Sequence, residues 1–306
     1  MIIAAMSLPT PLRGAARLTD WGVIRAHGAD AATFLHSQLT QDIEGLGPSE
    51  ARLAGYCSAK GRLLASFIVW RPAPDEVLLA CSADLLAPTL KRLSMFVLRA
   101  KCRLSDASAE RLLYGIVGEA VPAAHGAVQH EAGRTLIRLA DAEGQPRALL
   151  VQPADAAPPA LPALDLALWN WLEVRSGVAR IVAHTVEQFV PQMVNLEAVG
   201  GVNFKKGCYP GQEIVARSQY RGTLKRRAML FDSEAELQPG QEVFHSDDPG
   251  QPAGLVANAA RGPGGTSSAL IEVKLAALAG GSWHAGSADG PLLRPQPLPY
   301  ALPTEA

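Results

Sequence analysis

An α+β fold followed by a small all-β unit is the fold class predicted by the sequence, on three observations. Between residues 51 and 104 the apolar pattern runs β-hairpin, strand, helix, strand, an order that suggests a sheet covered by helices. A proline-rich connector, Pro153 to Pro162, is the clearest boundary in the chain. Beyond residue 222, short strands alternate with Pro-Gly and Gly-rich turns at regular spacing, the pattern of a small antiparallel barrel or sandwich. At 306 residues there is length for two or three domains.

In chain order, residues 1–17 read as a loose lead-in, and Val23-Ile24 as a short strand. Asp30 suits the N-cap of a helix carrying Leu35, Leu39 and Ile43 on one face. His36, Gln38, Thr40 and Asp42 fall on its other sides, either as a solvated face or as the lining of a site. Leu53 to Cys57, Leu63 to Trp70 and Glu76 to Ser82 are strands, the first two joined by the turn Ser58-Ala59-Lys60-Gly61. Asp84 opens a helix with Leu86, Leu90, Leu93 and Val97, followed by strands at Cys102 to Leu104, Leu112 to Val117, Thr135 to Leu139 and Arg147 to Gln152. After the connector, Asp165 caps a helix whose inward face carries Leu164, Leu168, Trp171 and Leu172, and Gly177 ends it. Arg175 continues that face, so its charge needs a partner, either a carboxylate of the protein or one of a ligand. Strands at Lys225 to Phe231, Val243-Phe244, Gly254 to Ala257 and Ala269 to Leu275 follow, and the tail from Pro291 reads as irregular.

Composition narrows the function classes. Hydrophobic residues make up 48%, charged residues 19%, and the net charge is −1, which argues against a basic nucleic-acid binder and against an acidic solvating chain. Locally the balance differs: residues 205–227 hold seven basic side chains against one acid, Glu213. Such a strip suits an anionic ligand or a partner's acidic face. Cys57, Cys81, Cys102 and Cys208 are scattered, without C-x-x-C or Cys/His ligand spacing. A disulfide framework and a permanently bound metal are therefore not expected, and a reducing cytoplasm fits. The first six residues lack a basic n-region, and no apolar run is long enough to cross a bilayer.

The densest cluster of chemistry is Phe204 to Arg217, which holds a thiol, two lysines and a Gln-Glu pair among glycines. Pro210-Gly211 is a turn signal, and Lys205 and Lys206 would favour the thiolate of Cys208 if they lie near its sulfur. Papain-like catalysis needs a positioned histidine, and none is local; His184 and His245 qualify only if the fold brings them close. One cysteine cannot hold an iron–sulfur cluster alone. Cys208 thus points to a transient contact, as nucleophile, passing ligand or redox thiol. Gln212 and Glu213 can grip the edge of a heterocycle or bond the loop's own amides.

Lys206-Gly207-Cys208-Tyr209-Pro210-Gly211-Gln212-Glu213 resembles the signature of the YgfZ family, folate-binding relatives of the glycine-cleavage T-protein aminomethyltransferase. The resemblance extends through Phe189-Val190-Pro191-Gln192, Asn195-Leu196, Ala216-Arg217 and Arg221-Gly222, with weaker matches at Phe34-Leu35, Leu39 to Asp42 and Lys60-Gly61-Arg62. It implies a T-protein-like, three-domain architecture around a central folate site. Residues 18–50 and 163–222 would form a discontinuous folate-binding α+β domain, 51–152 a second α+β domain and 223–290 the barrel. The connector would be 153–162 and an irregular tail 291–306. It further implies tetrahydrofolate as cofactor and iron–sulfur enzymes, tRNA-modifying ones among them, or cluster-assembly proteins as partners. Cys208 would be the acting residue, with folate contacts drawn from Lys206, Gly207, Tyr209, Gln212, Glu213, Arg217, Gln192, Asn195 and Arg175. The T-protein enzymes carry consecutive aspartates, one catalytic, where this chain has Ala65 and Ser66, and their folate-contacting glutamate falls near Arg175. An accessory role in iron–sulfur assembly or repair is thus the leading expectation. A folate-dependent one-carbon transferase and a non-catalytic docking module are the alternatives.

Overall fold

The computed structural model describes residues 12–118, 121–122, 124–220 and 224–303. The chain begins with Gly14–Arg17 (β1), Trp21–His27 (β2), Ala31–Gln38 (α1), Ala51–Cys57 (β3), Leu63–Ala73 (β4), Glu76–Ser82 (β5), Ala83–Ser94 (α2) and Arg103–Asp106 (β6). Arg111–Val117 (β7), Val128–Glu131 (β8), Arg134–Ala142 (β9), Gln145–Pro153 (β10) and Leu166–Arg175 (α3) follow. Gln212–Tyr220 (α4) then leads to Arg226–Ser233 (β11), Glu242–His245 (β12), Gly254–Arg261 (β13), Ser267–Lys274 (β14), Trp283–Ala285 (β15) and Leu292–Gln296 (β16).

Two antiparallel sheets and a barrel result. The first sheet has the order β3-β4-β5-β2-β6, the second β1-β7-β10-β9-β8, and β11-β14-β13-β12-β15-β16 close into the barrel. Strand alternation explains why the first sheet reads as continuously apolar. On β4, Leu63, Ala65, Phe67 and Val69 join one core with Leu35 of α1 and Leu93 of α2. Ile68 and Trp70, pointing the other way, join a second core with Leu113, Leu149 and Val151 of the second sheet. β5 divides the same way, with Val77, Leu79 and Cys81 in the first core and Leu78 and Ala80 in the second. Both faces are covered, so both sets of alternating positions must be apolar.

α3 sits between the second sheet and the barrel. Asp165 caps it, its carboxylate accepting from Ala167 N at 2.9 Å, as expected. Trp169 is fully buried and packs where a side chain on Gly115 of β7 would be. Trp171 reaches the barrel, its indole N–H donating to Ser268 Oγ at 3.0 Å. Trp169, rather than Trp171, is therefore the centre of the helix's buried side, because the helix faces protein in two directions.

Several expectations change. β1 pairs with β7, so residues 14–17 are an edge strand and not lead-in; residues 1–11 lie outside the described residues. α1 stops at Gln38, although Leu39 and Ile43 beyond it are fully buried as predicted. The boundary expected at residue 51 crosses a sheet, since β2 pairs with β5. The tail is not irregular throughout: β16 closes the barrel between β15 and β11. Pro295 pairs with Phe231 of β11, and β15 pairs with β16 only at Leu292 and Leu293, so the proline lies where the strand has a neighbour on one side.

Candidate functional site

The Cys208 loop is clamped on both sides of its thiol. Upstream, the Lys206 ammonium donates to the carbonyls of Leu39, at 2.9 Å, and of His36, so it caps the C-terminal end of α1. It also lies 4.8 Å from the centroid of the Tyr209 ring. Burial pulls its pKa down to about 8, against the opposing fields of Asp42, Cys208 and Glu44. Tyr209 is buried, and burial pushes its phenol upward. Downstream, Gly211 (φ +79°) packs against Gly61 (φ +70°) in the turn between β3 and β4. A Cβ on Gly211 would lie 2.4 Å from the Ser58 carbonyl, and one on Gly61 2.9 Å from Ile214 Cβ. Both glycines are required, by their left-handed backbone and by this close approach.

α4 begins at once after Gly211, a helix that the Pro210-Gly211 turn signal does not itself predict. The usable signal was Pro210-Gly211 followed by Glu213 and Arg217 at helical spacing. Gln192, fully buried, donates from Nε2 to the Val215 carbonyl at 2.8 Å and holds the helix in place. Asn195, also fully buried and in the left-handed conformation, donates to Ala228 O at 2.8 Å and accepts from Arg227 at 3.1 Å. Arg227 in turn pairs with buried Glu197 at 2.7 Å. Glu213 and Arg217 pair with each other at 2.9 Å on an exposed face of α4. Arg175 meets carboxylates of the protein itself, Glu143 and, at 3.3 Å, Asp232.

Cys208 is exposed, whereas Cys57 and Cys81 are buried and Cys102 is half-buried. Burial pushes Cys57 and Cys81 up to about 12 and Cys102 to about 11. A histidine does come near: His36 Nε2 lies 3.7 Å from where a Cβ on Gly207 would be, and its Nδ1 lies 3.0 Å from Asp42 Oδ1. His245 is buried in the barrel against Trp283, and His184 lies beside Gly240.

A separate cavity of about 130 Å³ lies where the two sheets, α3 and the barrel meet. By comparison, one water needs about 10–15 Å³ on such a scale, so the space is that of a ring-sized group. Its polar lining includes Ser66, Arg147, Asn170, Glu173, Arg180 and Asn258. Arg147, stacked 5.0 Å from the Trp169 ring, is depressed by burial to about 10. Burial raises the Glu173 carboxyl, opposed by Arg180 and Arg147. Arg180 pairs with Asp20 at 2.7 Å, and its backbone exchanges two hydrogen bonds with Asn258 of the barrel. Arg147 Nη1 and Asn170 Oδ1 are buried without a hydrogen-bond partner, one donor and one acceptor left over. Ser66 Oγ accepts from Ile181 N at 2.9 Å.

None of Lys206, Gly207, Tyr209, Gln212, Glu213, Arg217, Gln192, Asn195 and Arg175 lines this cavity. The first six gather around the thiol loop and α4; Gln192 braces α4, while the Asn195 side chain bonds to β11 and Tyr300. Sequence reasoning missed Arg147, Glu173 and Arg180. Asn170 and Glu173 on α3 carried a local signal, the two polar side chains of that helix before Arg175. β4 links the two regions: it starts at Leu63, two residues beyond Gly61 at the loop, and reaches Ser66 at the cavity after roughly 10 Å of strand. Among the described residues, no group of three or more His, Cys, Asp or Glu side chains could hold a metal ion. Among the described residues, no helix is long and apolar enough to cross a membrane.

No family profile matches the chain. Individual proteins do. The structure is similar to glycine cleavage system aminomethyltransferase T from Bartonella henselae, with a TM-score of 0.73, 16% identity and coverage of 92% of this chain and 84% of that one. The fold is therefore that of the T-protein. Among sequences, a tRNA-modifying protein YgfZ from Edwardsiella ictaluri is 36% identical over 258 residues, 78% of this chain and 75% of the relative. The protein of the same name from Colwellia psychrerythraea is 31% identical, covering 76% and 74%. At that identity and coverage, with the T-protein fold around it, the chain belongs to the YgfZ family.

Proposed function

We propose that this protein is a folate-dependent accessory factor for iron–sulfur enzymes, acting through the thiol of Cys208. The observation that carries the reading is the contrast among its four cysteines: Cys208 alone is exposed, on a loop fixed at both ends by Lys206 and Gly211. A lone exposed thiol suits a transient ligand or nucleophile for cargo brought to it, and not a resident cluster. The name of the relatives, tRNA-modifying protein, fits clients among tRNA-modifying iron–sulfur enzymes.

The central cavity supports a folate. Unpartnered Arg147 Nη1 and Asn170 Oδ1, beside the Glu173 carboxyl, suit a heterocycle edge with both donors and acceptors, such as a pterin. Arg147, Asn170 and Glu173 would hold that edge, and Trp169 fixes the Arg147 guanidinium by stacking. Tetrahydrofolate, when bound, would supply one-carbon or reducing chemistry. This chain's own residues supply no carboxylate at 65 or 66, and the Ser66 hydroxyl is occupied by Ile181 N, which weighs against aminomethyl transfer by the T-protein route.

Replacing Cys208 with Ala and assaying iron–sulfur enzymes in a strain lacking the native protein tests the thiol. Loss of rescue is expected; full rescue by the variant removes the role. Calorimetry should show tetrahydrofolate binding in the low-micromolar range or weaker, about −7 to −8 kcal/mol. Glu173→Ala should weaken it by roughly ten- to a hundredfold, a hydrogen bond to a charged group being worth about 1.5–3 kcal/mol. No heat and no thermal shift at millimolar folate would sink the cofactor assignment.

A further inference from the structure

Exposed apolar side chains are concentrated at one place on the surface. Of the five large ones among the described residues, Met95, Phe96 and Leu98 lie within four positions, just after α2 ends at Ser94. Leu98 is 84% exposed. A single exposed apolar residue needs no explanation, but three together, ringed by charge, mark a surface made to be covered. The ring is cationic. Lys91, Arg92, Arg99, Lys101 and Arg103 are all exposed, and residues 85–105 contain no acid, although the whole chain has a net charge of −1. Among the described residues none of these five forms an ion pair, whereas Arg175, Arg180 and Arg227 each meet a carboxylate of the protein itself. The complement of such a patch is an acidic surface with an apolar pocket.

The patch and the thiol loop are fastened to opposite ends of α1. Lys101 N donates to the Asp30 carboxylate at 2.7 Å, and Asp30 N to the Lys101 carbonyl at 3.2 Å, at the start of that helix. Lys206, two residues before Cys208, caps its other end. α1 has eight residues, about 12 Å of helix. Val97 and Ala100 of the patch segment pack on the same core as Phe204 and Tyr209 of the thiol loop.

We propose that the end of α2 docks the client protein on which Cys208 acts, through an acidic face whose apolar pocket takes Leu98 and Phe96. This deepens the function proposed above and rests on it. A protein fits better than the other anionic occupants. Single-stranded nucleic acid is held by stacking on aromatic rings, and Phe96 alone of the three could stack, while the most exposed residue is aliphatic. A membrane-surface helix offers an apolar strip along its whole length, but α2 turns Leu86 and Leu93 into the first core and leaves only its end apolar.

Limiting expression of Leu98→Asp, and separately of Arg99→Glu with Lys101→Glu, in the strain lacking the native protein tests this through iron–sulfur enzyme activity. Each should restore about tenfold less activity than the unaltered protein, the scale of affinity loss when an interface hot spot is replaced. Arg99→Lys with Lys101→Arg, which keeps the charge, should restore it fully. Urea midpoints, tetrahydrofolate calorimetry and iodoacetamide labelling of Cys208 should be unchanged in all of them, because these side chains are exposed and line neither the cavity nor the thiol loop. Full rescue by both disruptive variants would overturn the proposal. Binding of the unaltered protein to bulk tRNA or to phosphatidylglycerol vesicles, abolished by the same substitutions, would overturn it too, since the occupant would then be nucleic acid or lipid. Cys208→Ala separates this from the function on which it rests. An inactive Cys208→Ala beside fully active surface variants removes the docking site and keeps the thiol. A fully active Cys208→Ala beside inactive surface variants does the reverse.

Discussion

Burial sorts the four thiols, and the sorting has a measurable sign. Cys57 and Cys81 sit in the first core and are pushed up to about 12. Folded chains keep those protons, while unfolded chains lose them above about pH 8.5. Stability is therefore whole below that pH and falls as pH rises toward 12, by about 1.4 kcal/mol per pH unit for each thiol. Urea midpoints between pH 8 and 11 should fall less steeply for Cys81→Ala than for the parent, a comparison in which the opposite-signed contribution of Lys206 cancels. In the native protein, a thiol reagent should label one cysteine, and in denaturant four. Cys208 was legible in the sequence because its neighbours were unusual. His36 was not: its contact with the loop spans 170 residues, and no local pattern carries that information. Glu173 escaped for a different reason, since Arg175 drew attention as the charged residue near the helix end, and it turned out to face Glu143 and Asp232.

At the level of elements, strands with clean periodicity were read well, among them β4 and β5, as was the cap of α3. α2 starts one residue before Asp84, with Ser82 at its N-cap, and stops at Ser94, short of Val97. What escaped were elements whose reason is tertiary. α4 follows a Pro-Gly pair that spells a turn, and its start depends on the Gly61 contact rather than on a side-chain cap. β16 contains a proline and is a strand only because the barrel offers it two neighbours. The Gly61–Gly211 contact should be sensitive. Gly211→Ala must both strain a left-handed residue and push a Cβ into the Ser58 carbonyl, costing about 1–3 kcal/mol for the backbone alone. A lower urea midpoint at unchanged slope, with faster alkylation of Cys208 as the loop loosens, is the expected result; an unchanged midpoint would mean the backbone accommodates the methyl.

Across the whole molecule, α3 joins three bodies through two tryptophans. Trp169→Ala should destabilise the protein by roughly 3–5 kcal/mol and also free the Arg147 guanidinium, weakening folate binding beyond the stability loss. Urea denaturation and calorimetry at matched temperature separate the two effects. The barrel and the sheet cover were foreseeable from strand spacing, but the sharing of strands between the halves was not, because β1 and β2 are adjacent in sequence and belong to different sheets. That arrangement bears on how the chain is made. The sheet of β2 to β6 is complete once residue 106 has been synthesised, yet one of its faces stays bare until residues 111–153 emerge to cover it. At about 5–20 residues per second the exposed interval lasts several seconds on the ribosome. A fragment ending at residue 106 should consequently bind a hydrophobic dye and aggregate, whereas one ending at residue 153 should do so far less.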